Sequence, residues 1–186
     1  MNLEEILIEN PVIAAVRNEE DLNSAAASEA QVVFVLQGDI MNIKEICEKL
    51  KKHDKKVFIH IDMIEGLKGD HVGLEFIKNH TNPYGIITTK VNNVRQGKAL
   101  GLCTIQRIFI IDSLSLESGI KNVKEVKPDA VEVMPGVASK IIGIIKKEVK
   151  VPIIAGGLIN NKKDVVEALG SGAIAISTSK VELWNE

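Results

Sequence analysis

The chain has 186 residues, enough for one domain to bury a core without disulfides or bound metal. Its 45% hydrophobic and 26% charged residues are an ordinary globular balance, and no apolar run is long enough to cross a bilayer. A net charge of −2 excludes a protein that grips nucleic acid over its whole surface, so any such contact needs a local basic patch. One Trp, one Tyr and four Phe leave few platforms for stacking bases. Cys47 and Cys103 lack metal-ligand spacing and suit a reducing compartment, and the acidic start MNLEE is unlike a signal peptide. A cytoplasmic small-molecule binder with no membrane partner is expected.

The first segment, Leu3 to Ile8, is amphipathic and either plugs the lower end of the fold or forms a loose lead-in. Eight short β-branched runs follow, starting at 12, 32, 57, 85, 103, 130, 152 and 173. Most are apolar on both faces, as strands of a parallel sheet covered on both sides require. Amphipathic segments separate them; Ile43, Ile46, Cys47 and Leu50, for example, share one helical face. The seven steps between run starts cover 161 residues, 23 per unit, just enough for strand, turn, helix and turn. Eight such units predict a single α/β domain over 1–186: a minimal TIM-type (β/α)8 barrel with parallel strands. After Ile176 there is room only for one short closing helix.

Charges inside these strands are the next signal. In the third run Val57, Ile59 and Ile61 share the face toward the helices, which turns His60 and Asp62 inward. The same alternation turns Glu132 inward, and Thr88 and Lys90 with it. Arg17, Asp39 and Arg107 fall at or just beyond strand ends. Buried charges must pair, meet water or meet a ligand. A structural network such as Lys90 with Glu132 is one reading; a site at the strand C-termini, where such barrels place theirs, is the other.

The seventh run ends in Ala155-Gly156-Gly157-Leu158, and the eighth in Ser177-Thr178-Ser179. Paired glycines let backbone amides approach a ligand, and Ser179 to Glu182 has the form of a capping box, predicting a helix that starts at Ser179. A helix N-terminus after strand eight, beside the loop after strand seven, forms the recurrent phosphate seat of these barrels. There is no nucleophile elbow, P-loop, dinucleotide fingerprint or metal spacing, so neither cofactor nor metal is expected. Asp62 with Glu65 suits a divalent cation less well than solvation or capping, and Lys90 would serve as a Schiff base only if desolvated.

A further signal runs along nearly the whole chain in the segments PVIAAVRN (11–18), GDI (38–40), FIHIDMIEG (58–66), GIITTK (85–90) and TIQRIF (104–109). Further on come IDS (111–113), EVMPG (132–136), PIIAGGLI (152–159) and ISTS (176–179). Together these segments resemble the glycerol uptake operon antiterminator regulatory protein family. The resemblance implies a regulator and no enzyme: a protein that responds to glycerol 3-phosphate, binds leader mRNA and lets transcription pass a terminator. On this reading Gly156, Gly157, Ser177, Thr178 and Ser179 hold the phosphate. Arg17, Asp39, Lys90 and Glu132 take the glycerol hydroxyls and the closing network; position in the strands assigns these residues, and the resemblance does not.

Lys51, Lys52, Lys55 and Lys56 form the densest basic stretch and the first candidate for RNA contact, with Lys146, Lys147 and Lys150 a second. Either run is equally readable as a solvated helix end. Glycine-bearing loops at 38–40 and 65–69 are the expected moving parts. A phosphosugar isomerase or lyase using Lys90, Asp62 or Glu132 is the rival reading, and a sensor acting through a protein partner is a third. A short closing helix would leave an apolar flank near strands eight and one, which predicts a homodimer.

Overall fold

The computed structural model describes residues 2–185. A short helix α1 (Leu3–Glu9) precedes seven β-α units and a last strand: β1 (Val12–Val16), α2 (Glu19–Ala27), β2 (Val32–Val35), α3 (Ile43–Lys51), β3 (Lys56–His60) and α4 (His71–Thr81) come first. The middle of the chain forms β4 (Gly85–Thr88), α5 (Val91–Ala99), β5 (Cys103–Phe109) and α6 (Ser113–Val126). It continues through β6 (Ala130–Met134), α7 (Ser139–Glu148), β7 (Ile153–Gly156), α8 (Lys162–Gly170) and β8 (Ala175–Thr178). Single 3-10 turns lie at Ile61–Met63 and Val181–Leu183.

Every neighbouring strand pair is parallel, and β8 pairs β1 through Val12↔Ile176 and Ala14↔Thr178, which closes the barrel. The predicted TIM-type fold is therefore the fold observed. Local chemistry starts the helices: Asn18, Asp70, Asp112 and Asn161 accept hydrogen bonds from the third residue of α2, α4, α6 and α8.

Closure sorts the strand residues into two cores. Val33, Val35, Val57, Ile59, Val131 and Val133 pack outward against the helix layer. Ile13, Phe34, Phe58, Ile87, Ile105 and Ile154 fill the interior, and α1 adds Leu3, Ile6 and Leu7 to that same cluster. The first segment thus plugs the lower end of the barrel, one of the two roles its sequence allowed. Hydrophobic filling stops part-way up, leaving the upper layer to polar side chains.

At the lower end, lysines of α3, α4 and α5 each reach the end of the next α-β unit. Lys51 on α3 donates to the carbonyls of Thr81 (2.7 Å) and Asn82 (3.2 Å) at the end of α4. Lys78 on α4 reaches Leu100 O (2.5 Å), and Lys98 on α5 reaches Val126 O (3.2 Å) and Lys127 O. Lys55 bridges Ser28 O and Ala30 O (2.9 Å) beyond α2. Helix C-termini present unpaired carbonyls and partial negative charge, which is what an ammonium group satisfies.

The closing segment differs from the expected helix. Only one 3-10 turn forms, because Trp184 folds back and donates from Nε1 to Thr178 O at 2.9 Å. Trp184 is buried with Leu183 against the core, and this turn contacts α2. The flank between β8 and β1, whose exposure predicted a dimer, is covered by the chain itself. Replacing Trp184 with Ala should cost about 3–5 kcal/mol in urea unfolding.

Candidate functional site

A cavity of about 540 Å³ opens at the C-terminal ends of the strands. Most of its wall comes from β1, β5, β6, β7 and β8 and their loops, through Arg17, Arg107 with Phe109, Glu132 with Met134, Gly157 to Asn160, and Ser177 to Lys180, and Leu36 after β2 completes it. Met63 and Leu158 are exposed apolar residues at its edge. The volume falls in the range of small-ligand sites.

The floor is a buried charge pair. Glu132 is 0% exposed and accepts from Arg107 Nε at 2.5 Å through one oxygen and from the Ser177 hydroxyl at 2.5 Å through the other. Arg107 is 7% exposed; its Nη groups bond nothing else among the described residues and are not sealed off, so they face the cavity. Gly156 lies beside this pair for a steric reason. A Cβ there would stand 2.4 Å from Glu132 Oε1 and 2.7 Å from Ser177 Oγ. Gly156 thus makes room for the pair and does not line the cavity.

The β7–β8 side is built from backbone. Gly157 (φ 80°) and Leu158 (φ 62°) both adopt left-handed conformations, which a branched side chain such as Leu158 takes up only when its surroundings enforce it. Among the described residues, none accepts a hydrogen bond from the backbone N–H of Gly157, Leu158 or Ser179. Arg17 and Lys180 line the same side, and neither forms an ion pair among those residues. The capping box expected at Ser179 is absent. Lys180 N–H is taken by the Thr178 hydroxyl at 3.0 Å, Thr178 in turn donates to Ile159 O at 2.8 Å, and no helix begins there. Loop amides and two cations, without a helix dipole, make this end electropositive.

Other expected site residues lie elsewhere. Asp39 caps the entry to α3, accepting from Met41 N at 2.7 Å and Asn42 N at 3.0 Å, and does not line the cavity. Its loop is joined to the 65–69 loop by Ile40 N to Glu65 O and Glu65 N to Gly38 O, so the two expected moving parts form one unit. Lys90 is 60% exposed, caps nothing with its side chain and pairs with Asp62 at 3.5 Å. The suggested Lys90–Glu132 network is therefore replaced by Arg107–Glu132 and Lys90–Asp62. Thr88 points outward, accepting from Asn93 of α5 and donating to Asp62 at 2.9 Å; the residue that turns inward there is Ile87.

His60 does face the interior and is 3% exposed. Burial, reinforced by the positive charge of Arg107, pushes its pKa down to about 4, so the ring is neutral at physiological pH. Burial raises the Asp62 carboxyl, but the Thr89 amide, the Thr88 hydroxyl, His60 and Lys90 together hold it below its usual value. Among the described residues no three His, Cys, Asp or Glu side chains gather for a metal.

The basic stretch lies at the opposite end of the barrel, where α3 ends and β3 begins. Lys51 and Lys55 are consumed by carbonyls, and Lys56 lies 5.9 Å over the Tyr84 ring. Lys52 alone of the four is exposed. Among cavity residues, the sequence reading set Arg107 at a strand end without assigning it to the site, although it shares its face with the interior Ile105; Lys180 and Asn160 carry no sequence signature that separates them from ordinary loop residues.

A closed parallel barrel, with free loop amides and two cations at its mouth and a buried ion pair beneath them, defines the class: a TIM-type barrel. The chain belongs to the glycerol-3-phosphate responsive antiterminator family, whose model matches residues 12–184. It is similar to the uncharacterised protein YgcP of Escherichia coli (strain K12), 38% identical over 99% of this chain and 96% of that one. Among solved structures it resembles the glycerol uptake operon antiterminator regulatory protein of Listeria monocytogenes, with 31% identity and a TM-score of 0.90 over 93% of this chain and 94% of that one. The glycerol uptake operon antiterminator-related protein of Thermotoga maritima gives 34% identity and a TM-score of 0.84, over 94% and 98%. No helix among the described residues is long and apolar enough to cross a membrane.

Because His60 accepts a proton more readily when unfolded, acid favours the unfolded chain between the ordinary histidine value of 6.5 and the folded value of about 4. Stability should fall by about 3 kcal/mol across that window, and His60→Asn should remove most of that slope in urea melts at pH 7 and pH 4.5.

Proposed function

We propose that the protein is a cytoplasmic, glycerol 3-phosphate-responsive, RNA-binding antiterminator of glycerol uptake and metabolism genes, and that the mouth cavity receives the effector. The observation that carries this reading is the unpaired electropositive wall: free amides of Gly157, Leu158 and Ser179 beside Arg17 and Lys180. Backbone donors with nearby cations suit a phosphate dianion. Family membership supplies the effector and the regulatory role.

A regulator fits the side chains better than a lyase or isomerase. Schiff-base chemistry needs a desolvated lysine, and Lys90 is 60% exposed and held by Asp62. The effector would act by linkage: binding only the RNA-competent conformation, at about 100 times its dissociation constant, it shifts the equilibrium by about 2.7 kcal/mol. The leader mRNA then meets lysines left free at the lower end, Lys52 and the exposed Lys146, Lys147 and Lys150.

Titrating leader RNA by fluorescence anisotropy over a salt series, with and without glycerol 3-phosphate, tests this directly. The effector should tighten binding, and Lys52→Ala should flatten the salt dependence by about one. Absence of RNA binding in every condition would remove the reading. Lys51→Ala and Lys55→Ala should leave the salt dependence alone and cost about 1 kcal/mol each in stability, since their ammonium groups serve helix ends.

A further inference from the structure

The cavity's charge is unevenly distributed, and that distribution constrains what can occupy it. At the β7–β8 wall, Arg17 and Lys180 have no ionic partner among the described residues. Beneath it, Arg107 is balanced by Glu132; outside the cavity lining, Asp62 pairs with Lys90 and the interior His60 is neutral. The floor thus offers the Nη donors of a guanidinium with no surplus positive charge. Such donors suit the lone pairs of an uncharged oxygen, whereas a second anion would meet the Glu132 carboxylate with nothing left to offset it.

We propose that the Arg107–Glu132 pair is the specificity-determining element of this site, admitting a phosphate monoester whose remaining groups are neutral hydroxyls and rejecting one that also carries a carboxylate. Glu132 acts as a positioning residue: wholly buried, it holds the guanidinium by Nε and turns the Nη edge to the cavity. Gly156 keeps the space that lets Glu132 reach both Arg107 and Ser177. The inference rests on the cavity being the effector site and adds the chemical basis of its choice.

Calorimetric titration with three probes tests it: inorganic phosphate, glycerol 3-phosphate and 3-phosphoglycerate, which carries a carboxylate in place of the terminal hydroxymethyl group. The wild-type chain should bind glycerol 3-phosphate at least about tenfold more tightly than 3-phosphoglycerate. In Glu132→Gln, which keeps the shape and removes the charge, Arg107 is uncompensated, and the preference should narrow by at least about tenfold or reverse. Equal affinity of the wild type for the two esters overturns the inference while leaving the effector site standing, as does an unchanged ratio in a folded Glu132→Gln. If no probe binds, the effector reading falls and this one with it. Should Glu132→Gln fail to melt cooperatively, the wild-type ratio alone decides.

Discussion

A carboxylate in the middle of a closed barrel has no access to bulk water, so the chain must supply its partners. Glu132 gets two, the Arg107 side chain from the adjacent strand β5 and the Ser177 hydroxyl from β8. Removing one member of such a buried pair typically costs about 3–5 kcal/mol, because the other is left charged and unsolvated. The surrounding features follow from that demand: a glycine at 156 where any side chain would collide with the carboxylate, a neutral His60 nearby, and a guanidinium whose unused edge has only the cavity to face. The same pair that stabilises the upper barrel thereby forms the floor of its cavity.

The two ends of the barrel differ through helix polarity. Helix C-termini converge at the lower end, and their carbonyls capture Lys51, Lys55, Lys78 and Lys98. What reads in sequence as a basic patch for a polyanion is in large part a set of ties between helices. At the upper end the electropositive wall arises from the free amides of Gly157, Leu158 and Ser179 and from two unpaired cations. Between the two ends the α1 plug and the interior aromatics Phe34 and Phe58 belong to one packed cluster.

Several site residues were readable because strand alternation is strict. His60 and Glu132 are interior as their neighbours Ile59 and Val133 dictate. The same rule failed at Thr88, where the apolar pair Ile86 and Ile87 gives no hint of which faces the helices. It suggested Lys90 as the partner of Glu132, where the structure pairs Arg107, since pairing depends on which strands are neighbours and on side-chain reach. Asp39 and Gly156 stand out in the sequence, yet neither touches the cavity as expected. Asp39 caps a helix entry, and Gly156 yields space to a carboxylate.

Sequence by itself determined the order and spacing of the eight units, the parallel sheet, the resemblance to a regulator family and the plugging potential of α1. These follow from local period and composition, which act within a few residues along the chain. Tertiary structure alone decided which charges meet, that Trp184 folds back onto the core beside β8, and that the last turn is 3-10 and not the expected helix. Those outcomes depend on contacts between residues far apart in the chain, such as Glu132 with Ser177. Closure of the barrel brings them together, and no local pattern encodes them.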